Sequence, residues 1–184
     1  MTTTDALLVC ADAVAVALLV RGGAAKLVAP ALAAAAAGEL RPGRGPVPAA
    51  VIRALAVVEI TVAVAMALPS LRGPVHVPLA ALGVLFAGAG ILGLLRGSTE
   101  PCGCFGADST SPLGVSNVVM GVAILAAAVS SLWVHGVGTS QTGSASAGVA
   151  GLGAIVTGGW LLHSHRKRAY TVLGNLLKQP EPAA

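Results

Sequence analysis

The sequence predicts an all-α, polytopic membrane bundle: four core transmembrane helices and a shorter fifth apolar run. Two observations carry this prediction. Of the 184 residues, 55% are hydrophobic and 10% are charged, and the mean hydropathy of +0.86 lies far outside the range of soluble globular domains. The apolar residues also gather into runs of the roughly 20 residues that a bilayer crossing needs, separated by short stretches of Pro, Gly, Ser and Arg. No length is left over for a separate soluble domain. The formal charge of +4 does not mark a nucleic-acid binder, because the basic residues stand at the ends of apolar runs and no basic face alternates with aromatics. The expected partner is the lipid bilayer, in an integral, multi-pass protein of the plasma membrane.

The first run extends from Asp5 to about Val28. It lacks the basic start and the cleavage site of a signal peptide, and it passes through Asp12, Arg21 and Lys26. Arg21 and Lys26 lie near its end, where long side chains can carry their charges to the interface. Cys10 is expected to be a buried helix residue. Ala31 to Ala37, closed by Gly38, reads as a short helix lying on or re-entering the membrane surface, followed by a turn-rich Arg41-Pro42-Gly43-Arg44-Gly45-Pro46 loop. The second core helix is predicted from Pro48 or Ala49 to Leu68, ended by Pro69 and an Arg72-Gly73-Pro74 turn. Glu59 falls near its middle, roughly 15 Å from the start at 1.5 Å per residue. An acid at that depth costs a few kcal/mol unless it is protonated, paired or facing water. It is expected to face the bundle interior with Lys26 or Arg21 as partner, either as a functional group or as a helix–helix contact.

The third core helix is predicted over Val77 to Leu95, with Gly83, Gly88, Gly90 and Gly93 allowing close backbone approach. The fourth runs from Val115 to Val134, with Ser116 or Asn117 as its cap and Trp133 at the far interface. Gly136 to Ser146 is an uncharged Gly/Ser/Thr linker. The fifth run, Ala147 to Leu162, ends in the basic cluster His163-Ser164-His165-Arg166-Lys167-Arg168. The organisation that follows is a four-helix domain over 1–136, a linker over 137–146, a fifth membrane helix over 147–165 and a basic, partly disordered tail over 166–184.

Reactive chemistry is concentrated between the third and fourth runs, in Pro101-Cys102-Gly103-Cys104-Phe105-Gly106. Gly103 can adopt backbone conformations closed to other residues, which lets the chain fold tightly enough to bring the two sulfurs together. A disulfide there would close a very small ring and be readily reduced. Two sulfurs supply half of a tetrahedral zinc shell and no second motif completes it, so no metal is expected. Cys102 and Cys104 are thus the candidate catalytic residues, with Gly103, Phe105 and Gly106 shaping the loop and Glu59 and Lys26 as intramembrane polar residues. Two readings stay open. In one, the protein is a thiol–disulfide oxidoreductase that exchanges with a soluble partner, with that partner or a quinone taking the electrons. In the other it is a non-catalytic assembly or transport component.

Taken together, Lys26-Leu27 followed by Pro30, Glu59, Cys102-Gly103-Cys104-Phe105-Gly106 and Asn117 resemble the MauE family of methylamine-utilisation membrane proteins, related to DoxX-type four-helix membrane proteins. The resemblance covers about Asp5 to His135. It implies a part in the processing, transport or maturation of the disulfide-rich small subunit of methylamine dehydrogenase, an exported protein, beside a thioredoxin-like partner. Ser116 stands where the family pattern leads one to expect a basic residue, and the fifth run lies outside the four-helix core.

If all five runs span, Arg41, Arg44, Arg53, Arg96 and the basic tail share one side and Arg72 stands opposite. The positive-inside rule then places the cysteine loop in the cytoplasm. Oxidation of an exported protein instead requires the loop outside, or tucked into the bundle.

Overall fold

The computed structural model describes residues 3–41, 45, 47–68, 70–99, 101–102, 112–135, 148–157 and 159. The order is α1 (Thr3–Val28), α2 (Pro30–Glu39), α3 (Ala49–Met66), α4 (Arg72–Leu95) and α5 (Val115–His135), then a short apolar α6 (Gly148–Thr157). Four of these, α1, α3, α4 and α5, are long and apolar enough to cross a membrane. Helices suit that medium because every backbone polar group is satisfied within its own segment.

Proline places two of the boundaries. Pro30 disfavours the α conformation at the residue before it, and Ala29 accordingly takes φ −132°, ψ 69°, so α2 breaks from α1 while the Ala29 amide still donates to Ala25 O at 2.9 Å. Pro74 does not end a helix as the sequence suggested. It lies in the first turn of α4, where the missing N–H would have had no partner anyway, and α4 therefore begins five residues before the predicted Val77. Pro78 is carried inside the same helix.

The tightest pairings are α4 with α5 and α1 with α3. The first is a backbone contact made by missing side chains. A Cβ on Gly121 would stand 2.3 Å from Ala87 N, and one on Gly83 or Gly90 would stand 2.7 Å from the amide of Leu125 or Val118. Gly88, on the other hand, meets nothing within 4 Å and takes no part in the seam. Gly121→Ala is therefore expected to lower the thermal unfolding midpoint in detergent, with roughly 1–3 kcal/mol lost to overpacking. Gly88→Ala should be neutral or slightly stabilising, since alanine is the better helix former.

Leu19, Met66, Leu79, Ile124 and Ala128 fill the centre, each 0–1% exposed, and Val149 of α6 joins the same core. The opposite faces carry Val57, Val58, Val84, Val122 and Val129 outward, a surface suited to lipid. Cys10 is a correction to the expected burial: it is a free, exposed thiol. The inward stripe of α1 is Leu8, Asp12, Ala15 and Leu19, and at 100° per residue position 10 falls on the outer side.

Candidate functional site

Cys102 lies beyond the end of α4, only 3% exposed, and is disulfide-bonded. An isolated antiparallel bridge between Pro101 and Pro112 closes the base of its loop. Leu113 and Leu40 pack against it. The Asn117 Nδ2 amide donates to Cys102 Sγ at 3.0 Å, and Ser116 Oγ donates to Asn117 Oδ1 at 3.4 Å, which aims the amide. Asn117, expected as a helix cap, thus sits in the first turn of α5 and turns its side chain to the sulfur. Gly103, Cys104, Phe105 and Gly106 lie outside the described residues.

The alanine helix α2 holds this end of the bundle. Arg96 Nη1 donates to Glu39 O at 3.1 Å, and Ser98 Oγ donates to the Glu39 carboxylate. These contacts clamp the end of α2 to the end of α4, so that Leu40 covers the cysteine. Ala33 and Ala34 in turn pack on Ile52 of α3.

One layer deeper, Lys26 in the last turn of α1 meets Glu59 of α3. Lys26 Nζ donates to both carboxylate oxygens, at 2.7 and 2.9 Å, and stands 5.2 Å from the centre of the Phe86 ring of α4. Glu59 is fully buried and Lys26 is 3% exposed. Lys26 therefore does not carry its charge out to the interface. In low dielectric a lone acid is costly, and the pair with its cation–π contact spans three helices.

A second polar cluster escaped sequence reasoning. Asp12 of α1 accepts from Arg72 Nη2 at 2.8 Å and from Ser131 Oγ of α5 at 3.3 Å. His76 Nε2 lies 3.3 Å from both of its oxygens. All four side chains are at most 2% exposed. The sequence suggests a turn at Arg72, with its charge setting topology; its place at the start of α4, one turn before His76, instead puts both on the face that meets Asp12. A lone acid in an apolar run, matched by Arg and His at i and i+4 in another, was the available signal.

Four apolar helices closed by buried charge pairs, with a cysteine loop at one end, define an integral, multi-pass membrane protein. The family model described as methylamine utilisation protein MauE matches residues 3–134, and the chain belongs to that family. Comparisons with curated proteins and with solved structures return no match.

Proposed function

We infer that the protein is the plasma-membrane component of a thiol–disulfide system in methylamine utilisation, serving maturation of the methylamine dehydrogenase small subunit together with a thioredoxin-like partner. The observation that carries this reading is the Asn117 amide held 3.0 Å from the sulfur of Cys102. When a partner thiolate attacks one sulfur of a disulfide, the other leaves as a thiolate. Cys102 is too buried to be attacked by a protein, and an amide N–H aimed at it stabilises negative charge arriving there. Cys104 is then the attacked atom and Cys102 the leaving one. The mixed disulfide on Cys104 resolves when the partner's second thiol closes on the first. The partner leaves oxidised and Cys102 and Cys104 remain as a dithiol.

The side on which this happens fixes the partner. Arg72 is neutralised inside the bundle by Asp12, and among the described residues Arg41 and Arg96 stand at the cysteine-loop end, a bias that the positive-inside rule reads as cytoplasmic; maturation of an exported subunit requires the opposite side. After mild reduction, the loop cysteines of intact cells are expected to react with an impermeant maleimide before lysis, as an exported substrate requires. Resistance until lysis would place the loop in the cytoplasm and remove the exported subunit from this reading. Domain limits at 136, 146 and 165 belong to the same proposal. The described turns of α6 are about 15 Å long at 1.5 Å per residue and lie within its fifth segment.

A further inference from the structure

Cys102 is closed off by two side chains that are held in different ways. Among the described residues, Leu113 and Leu40 pack against it. Leu113 belongs to the frame of the bundle: it is 5% exposed, and it lies so close to α4 that a Cβ on Gly93 would stand 2.5 Å from its carbonyl oxygen. Leu40 is only partly buried and directly follows α2, so it stays over the sulfur only while the end of that helix does.

The body of α2 contributes little to holding that end. Its buried residues Ala33, Ala34 and Ala36 offer one methyl group each, and apolar contact between helices has little advantage over contact with lipid. The backbone bond from the Val47 amide to Ala34 O, at 3.1 Å, secures the middle of the helix. Its last turn depends on Glu39, whose carbonyl accepts from Arg96 and whose carboxylate accepts from Ser98. Both donors stand on a rigid post. Gly97 N donates to Leu94 O at 3.1 Å and Ser98 N to Gly93 O at 2.9 Å, with Gly97 at φ 63°; these two bonds and the left-handed glycine make a Schellman cap. The cap turns Ser98 back across the end of α4, where its hydroxyl meets Glu39. Glu39 is exposed, and a hydrogen bond made in competition with water gives only a modest net gain, so the closed form is favoured without being locked.

We propose that Glu39, Arg96 and Ser98 are positioning residues that latch Leu40 over Cys102 and so direct an incoming thiol to Cys104. A disulfide can be attacked at either sulfur, and the covered one is withdrawn from attack. The directing role rests on the thiol–disulfide reading above, whereas the latch is a property of the fold alone.

The latch is read first, without a partner. In the full chain carrying Cys10→Ser and Cys104→Ser, Cys102 is the one remaining thiol, and its rate of alkylation by iodoacetamide in maltoside micelles follows the population of the open form. Glu39→Ala and Ser98→Ala are each expected to raise that rate about tenfold, as loss of one hydrogen bond to a charged group allows. Leu40→Ala should raise it at least as much, and Ser98→Thr, which keeps the hydroxyl, should restore the slow rate. Unchanged labelling in Glu39→Ala and Ser98→Ala would overturn the proposal, as would a Ser98→Thr protein that labels as fast as Ser98→Ala, or slow labelling in Leu40→Ala. The directing role is read next, with an oxidised thioredoxin-like partner. Adding Glu39→Ala to Cys104→Ser should let the Cys102 thiolate attack the partner's disulfide, forming a mixed disulfide and releasing the partner's second sulfur as a thiolate. Fast alkylation of Cys102 without that adduct, while Cys102→Ser forms its own through Cys104, would overturn the directing role. No adduct from any variant, with alkylation raised as expected, would refute thiol exchange and uphold the latch.

Discussion

Cys102→Ser is expected to accumulate a mixed disulfide with a co-expressed thioredoxin-like partner, while Cys104→Ser accumulates none, and both lose oxidation of that partner down to background. The asymmetry follows from burial. Cys102 is 3% exposed beneath Leu40 and Leu113, so an incoming protein thiol reaches Cys104 first and the exchange passes through that adduct. Cys102→Ser has no disulfide of its own, so its adduct forms when the Cys104 thiolate attacks the disulfide of an oxidised partner and expels that partner's second sulfur as a thiolate; with no Cys102 thiol to carry the adduct forward to an internal disulfide, a non-reducing gel shows it as a band that vanishes on reduction. Asn117→Leu removes the amide donated to Cys102 and should slow exchange about tenfold, corresponding to roughly 1.4 kcal/mol for one hydrogen bond to a developing charge. Cys10→Ser should leave exchange unchanged, since that thiol stands on the outer face of α1. If the loop only shapes an assembly surface, all the loop variants lose partner binding and none accumulates an adduct.

The fold was legible because its main determinant, runs of apolar residues about 20 long, is a one-dimensional signal. Glu59 was legible for a related reason: an acid in the middle of such a run demands a partner, and Lys26 was one of two bases within reach. What the sequence concealed was direction around the helix axis. Arg72 and His76 sit in a segment whose Arg-Gly-Pro order resembles a turn, and only the approach of α1 and α5 to the first turns of α4 makes them partners of Asp12. The same ambiguity misplaced Cys10, whose neighbours Val9 and Leu8 are buried while it is not. In a uniformly apolar helix the periodicity that separates core from surface is weak on both sides, because lipid accepts the same residues as the core. Asn117 was visible as a polar residue opening a helix; that its amide serves a sulfur fifteen residues earlier required the fold of α4 onto α5.

Breaking one side of the Lys26–Glu59 pair should cost far more than removing both. Glu59→Leu leaves an ammonium group 3% exposed with no carboxylate, and Lys26→Met leaves a fully buried carboxylate with no base. Each single change is expected to cost about 3–5 kcal/mol, the usual penalty for an uncompensated buried charge. The double substitution Lys26→Met with Glu59→Leu replaces the pair by apolar groups of similar size and should recover most of that loss, because desolvating two ions offsets much of their attraction. Thermal unfolding of the three variants in one detergent gives the coupling directly. The role of the pair is then read from partner oxidation in the stable double variant. A purely structural link between α1, α3 and Phe86 of α4 would leave exchange at the wild-type rate once stability returns. A pair that works with the cysteine loop keeps exchange low in the double variant, and also in Glu59→Gln, which keeps an acceptor for Lys26 and should remain folded. The second pattern is the one expected, since Lys26 lies in the last turn of α1, four residues before the start of the helix that holds Leu40 over Cys102. Full exchange in a folded Glu59→Leu protein would remove Glu59 from the mechanism altogether.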